Sequence, residues 1–123
     1  SEWASLKQNI HLREQSRYQS IATTDSVKAN ITARWHNYKT MNERYKASQA
    51  ALNAATSAYN GAKAEYENGL RNNIDFLQAE QNMFQAQLKK ILSQGDDILA
   101  SYQLLAAVGQ LTPEYIGLTP SDQ

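Results

Sequence analysis

A chain of 123 residues provides for one domain, and its 12 Lys and Arg are balanced by 12 Asp and Glu, so net charge gives no ground for nucleic acid or an anionic membrane surface as partner. The absence of cysteine excludes disulfides, thiolate metal sites and cysteine nucleophiles. No apolar run approaches the ~20 residues a membrane-crossing helix needs, and the opening SEWASLKQNI lacks the basic-then-apolar layout of a signal peptide; the chain as it stands neither spans a membrane nor directs its own export. Alanine, glutamine, leucine, lysine and glutamate abound, while there are five glycines and two prolines, both beyond residue 112, so intrinsic preference points to an all-α chain.

The first stretch, residues 3–30, places Leu6, Ile10, Ile21 and Val27 among many polar residues. Within it Thr23, Thr24 and Asp25 favour caps over helix interiors, which makes this the expected weak point of the first helix and a place where it could bend. From Ile31 a seven-residue repeat sets in: Ile31, Arg34, Tyr38, Met41, Tyr45, Ser48, Leu52, Ala55, Tyr59, Ala62 and Tyr66 recur at alternating spacings of three and four. Beside this seam Ala47, Ala50, Ala51, Ala54, Ala58 and Ala62 form a stripe of small side chains, so the helix has two faces suited to close neighbours.

The run EYENGLRNNIDFLQAE, Glu65 to Glu80, then breaks the helix. Gly69 supplies the permitted positive φ of a turn, and Asn68, Asn72 and Asn73 suit capping. Beyond it the same repeat resumes through Ile74, Leu77, Gln81, Phe84, Leu88, Ile91, Gly95, Ile98, Tyr102, Leu105 and Gly109. A strict period of 3.5 in both halves predicts a long antiparallel coiled-coil hairpin over residues 1–109 with its tip at about 67–73. Gly109, followed by Leu111 and Pro113, is expected to end the second helix, leaving 110–123 as an irregular tail. A first helix of ~100 Å cannot be covered by a second of ~54 Å. The hairpin therefore reads as part of something larger, stabilised by association.

Nothing here carries catalysis. His11 and His36 lack an acidic partner at helical spacing, Asp96 and Asp97 lack a calcium-loop pattern, and the Asn30-Ile31-Thr32 glycosylation triplet falls inside a helix. Trp35 and the tyrosines at 38, 45, 59 and 66 recur at seam spacing with little interleaved arginine, which is packing rather than a stacking platform for bases or sugars. No enzymatic activity and no cofactor are expected.

Tyr66, Gly69 and Arg71, then IDFLQAEQNMFQAQ from Ile74, then AAVGQL from Ala106, resemble in order and separation the C-terminal part of TolC-type outer-membrane efflux and secretion channels. The resemblance spans about residues 27–118. It implies a trimer in the full-length protein, with a β-barrel in the outer membrane of a Gram-negative cell continued into the periplasm by an α-helical barrel. This chain would be part of that α-barrel wall, without the first repeat or the membrane strands. Such a duct serves multidrug efflux or type I secretion, with a periplasmic adaptor and an inner-membrane transporter as partners and no role for nucleic acid. At the tip, Tyr66 and Arg71 are similar to family residues that hold the entrance shut, and Asp75 is similar to the first aspartate of an acidic constriction ring. Gly69, Leu70 and Arg71 are similar to the turn that adaptor hairpins recognise. Gln78 departs from the family, which often carries a second aspartate there, and weakens the expected acidic ring. The alternative is a coiled-coil interaction module, such as an adaptor hairpin or a self-associating helical bundle, with the tip as its binding surface.

Overall fold

The computed structural model describes residues 1–116, and for 112–116 the backbone alone. Two α-helices account for almost all of it: α1, Glu2–Glu67, and α2, Asn73–Ile116. They pack together, and no strand occurs among the described residues, in keeping with the all-α hairpin.

α1 begins on Ser1, whose Oγ accepts a hydrogen bond from Ala4 N–H (3.4 Å) and whose carbonyl accepts from Ser5 N–H (3.2 Å). The first of these satisfies a donor that a helix start leaves orphaned, and the second is the first regular bond of the helix. The helix then runs without interruption through the expected weak point at residues 23–25. Thr23 and Thr24 donate their hydroxyls back to the carbonyls of Gln19 and Ser20, each at 2.9 Å. Instead of competing with the helix as caps, the two side chains are tied into the preceding turn.

The chain forms two units. The terminal unit comprises residues 1–35 together with those from Gln103 onward. Within it every α1 residue from Glu2 to Thr23 is exposed. Cover begins at Thr24, Val27, Asn30, Ile31 and Arg34 on α1, matched by Gln103, Leu104, Ala107 and Leu111 on α2. Arg34 Nη1 donates to Gln103 Oε1 at 3.3 Å, and Ala107 is the buried apolar residue there. α2 does not stop at Gly109 as the sequence leads one to expect. It continues through Pro113 to Ile116. A glycine cap requires a left-handed backbone, and among the described residues Gly69 alone has a positive φ. Pro113 removes one amide donor but does not end the helix there. The rest of the expected tail, 117–123, lies outside the described residues.

The tip unit comprises His36–Tyr102 and holds the complete turn. Its α1 contribution is the face that the heptad names: Tyr38, Met41, Tyr45, Leu52, Ala55 and Tyr59 are half-buried, and Ser48 and Ala62 are buried. Its α2 contribution is a different face from the one expected. Ile74, Leu77, Phe84, Leu88, Ile91, Ile98 and Tyr102 are all exposed. The covered series is instead Phe76, Ala79, Met83, Ala86, Lys90, Ser93, Asp97 and Ala100. The two series differ by two positions, as Ile91 does from Ser93, which on a helix is a turn of about 200°. α2 thus presents its small and polar side to α1 and its bulky apolar side outward. The reason is complementarity: α1 brings rings and amides to the seam, and small or hydrogen-bonding side chains accommodate them. Ser48 Oγ donates to the Tyr45 carbonyl (2.7 Å) and accepts from Ser93 Oγ (2.8 Å), while Asn42 Nδ2 donates to Asp97 Oδ1 (3.2 Å).

Candidate functional site

The tip is built by two caps placed back to back. α1 ends on a double bond pattern, Leu70 N–H to Glu65 carbonyl (2.8 Å) and Gly69 N–H to Tyr66 carbonyl (3.0 Å), around Gly69 at φ 74°. This is the Schellman arrangement, in which the glycine takes the left-handed position that other residues resist. Such a cap usually lets the following residue cover an apolar neighbour, but here that neighbour is Glu65, and Leu70 stands 78% exposed. α2 then starts on Asn72, whose Oδ1 accepts from Asp75 N–H at 2.8 Å and whose carbonyl accepts from Phe76 N–H at 3.3 Å. The turn therefore fixes its own backbone and leaves its side chains available.

Each residue singled out from the sequence has a definite place. Tyr66 lies flat on Phe76, with ring centroids 4.9 Å apart and planes 9° from parallel, and is still 41% exposed. Tyr59 approaches the same ring at 5.7 Å. Phe76 is thus held by two tyrosines about two turns of α1 apart, and it joins the ends of α1 and α2. Sequence reasoning passed over Phe76 because it lies off the larger apolar stripe of α2. Its signal was the second heptad it begins with Ala79, Met83 and Ala86.

Arg71, in the turn, reaches back to α1. Its Nε donates to Glu65 Oε2 at 2.7 Å, an ion pair that is largely solvent-accessible. Glu65 lies in the last turn of α1, where the helix dipole disfavours a negative charge, so Arg71 offsets a local mismatch. Exposed pairs of this kind contribute at most about 1 kcal/mol. Asp75, by contrast, sits in the first turn of α2, where the dipole favours a carboxylate. Arg71, Asp75, Gln78 and Asn82 line one open groove of about 520 Å³ whose α1 wall is made of Ala54, Ala55 and Ala58. Gln78 Nε2 donates to Asn82 Oδ1 at 3.1 Å, so the position where a second carboxylate was missed forms an amide pair on the groove wall. Further along the tip unit a second groove of about 570 Å³ runs between Ala47, Ser48 and Ala51 on α1 and Leu92, Ser93 and Asp96 on α2.

The chemistry available is that of surfaces. Among the described residues no group of three or more His, Cys, Asp or Glu side chains could hold a metal ion, and no helix is long and apolar enough to cross a membrane. What the tip unit offers is a polar turn with an exposed leucine, two grooves floored by alanine, and an exposed apolar stripe. These define a helical hairpin built to be packed against on its flanks. A family model described as outer membrane efflux protein matches residues 2–110, and the chain belongs to that family. It is also similar to the outer membrane efflux protein BepC of Brucella suis biovar 1 (strain 1330), at 27% identity over 115 residues. That match covers 94% of this chain and 25% of the relative, so the chain spans about a quarter of the length of that protein. No solved structure matches the chain.

Proposed function

We propose that this chain is a segment of the periplasmic α-barrel of a trimeric outer-membrane channel, a passive exit duct for efflux or secretion. The observation that carries the reading is the two-sidedness of the tip unit. The apolar stripe of α2 through Leu88 and Ile91 stands outward, with Ile91 63% exposed, and the alanines at 47, 50, 51, 54 and 58 on α1 are exposed as well. A free-standing two-helix module has no use for either face. A helix in a barrel wall needs a neighbour on both flanks, and small residues let those neighbours approach closely. Family membership favours the same reading over an adaptor hairpin or an independent bundle. Stability drawn from such neighbours accords with a hairpin in which no large side chain is fully buried among the described residues.

In this reading the tip is the periplasmic entrance. Leu70, with Gly69 and Arg71, forms the surface on which an adaptor hairpin docks, and an inner-membrane transporter delivers the substrate behind it. Tyr66 and Arg71 hold the entrance coils together. Asp75, repeated by threefold symmetry, lines the constriction and favours cations, while Gln78 makes that preference weaker than two rings of carboxylates would. The test uses the full-length protein reconstituted in planar bilayers. A trimeric channel of low conductance that opens further on Arg71→Ser supports the duct and its gate. A full-length protein that forms no channel rejects the duct, and a channel unaltered by Arg71→Ser removes Arg71 from the gate.

A further inference from the structure

In the tip unit α2 has two continuous faces to offer α1, and burial of apolar surface, the dominant favourable term in packing, would choose the other one. Turned by about 200°, α2 would bring Leu88, Ile91 and Ile98 onto Met41, Tyr45 and Leu52 and would return Lys90 and Asp97 to water. What opposes this turn lies on α1. Asn42 and Ser48 stand in the seam, half-buried and buried, and are satisfied by Asp97 (3.2 Å) and Ser93 (2.8 Å) in the present orientation. In the turned orientation Asn42 would meet hydrocarbon without Asp97, and a covered amide without its partner is costly, whereas Ser48 would keep its bond back to the Tyr45 carbonyl. We propose that Asn42, acting through Asp97, is a positioning residue that selects which face of α2 turns to α1 and thereby holds its apolar stripe outward. A single polar side chain at a seam position is known to fix register at some cost in stability, and here the choice it fixes is rotational. The proposal goes beyond the channel reading, because it concerns one chain by itself whatever covers the apolar stripe.

The chain has no cysteine, so engineered pairs report on orientation without background. Ser48→Cys with Ser93→Cys reports the present face, and Ser48→Cys with Ile91→Cys reports the other. Both reporters remove the Ser48 hydroxyl and leave Asn42 with Asp97 as the selecting contact. With Asn42 intact, mild oxidation of the full 123-residue chain should favour the 48–93 disulfide over the 48–91 disulfide. Asn42→Leu leaves the Asp97 carboxylate facing hydrocarbon and should lower that preference by about tenfold. Asp97→Ala with Asn42 intact removes the same contact from its other end and should lower the preference as well. A purely structural role would lower both yields together and leave their ratio unchanged. An unchanged ratio in Asn42→Leu or in Asp97→Ala, or no disulfide at either pair in the parent, overturns the proposal.

Discussion

Replacing the glycines by alanine separates the roles that backbone conformation assigns them. An added Cβ meets nothing within 4 Å at Gly61, Gly69 or Gly95, so the outcome at each is decided by the backbone alone. Gly69 holds φ at 74° in the cap of α1, and alanine there should destabilise by about 1–2 kcal/mol, the penalty of a left-handed L-residue. Gly61 and Gly95 lie inside α1 and α2, where alanine should stabilise by about 0.5–1 kcal/mol each through lower entropy in the unfolded chain. Gly69→Ala and Gly61→Ala should therefore differ by about 1.5–3 kcal/mol with opposite signs. Thermal unfolding followed by far-ultraviolet circular dichroism, at one fixed chain concentration, reads this directly. Gly69→Asn should fall between, since asparagine tolerates the left-handed region better. Equal midpoints for Gly69→Ala and Gly61→Ala would refute the cap. In the assembled full-length protein the sign at Gly61 or Gly95 should reverse wherever a neighbouring helix approaches the open space.

Three further outcomes follow from the tip. Phe76→Ala removes the ring that Tyr59 and Tyr66 share and should cost about 2 kcal/mol, below the range for a fully buried phenylalanine because the site is half-exposed; the urea midpoint checks this, with Phe76→Tyr near wild type. Asn72→Ala should cost about 1 kcal/mol by removing the acceptor for Asp75 N–H, and Asn72→Asp should stay within a few tenths of that cap's full strength. Arg71→Ser should change unfolding by less than about 1 kcal/mol, because its pair with Glu65 is exposed, so that any larger effect on channel conductance belongs to gating rather than folding.

The elements themselves were legible because their signals are local. The Asn68-Gly69 pair marks the turn, and the 3-4 spacing from Ile31 marks the face of α1 that is covered. The stop at Gly109 was misread because a glycine before a proline permits a cap without enforcing one, and the helix proceeds when the backbone stays right-handed. Residues 23–25 were misread for a related reason: threonine hydroxyls can compete with a helix or bond back into it, and composition does not say which.

The face of α2 was misread for a deeper reason. Apolar periodicity identifies a surface that is unfavourable in water, but it carries no label for the neighbour that will cover it. When a helix has one neighbour, the most apolar stripe and the contact stripe coincide; when it has several, they separate. The separation between Ile91 and Ser93 fits the proposed barrel wall, in which α2 has more than one neighbour. The contact with α1 was written in a fainter pattern, small and polar residues at the same period, whose meaning depends on Asn42 and Ser48 standing opposite. A hairpin that joins its helices through their more polar sides keeps its apolar surface for contacts outside itself, so its stability should rise with association rather than reside in the pair of helices alone.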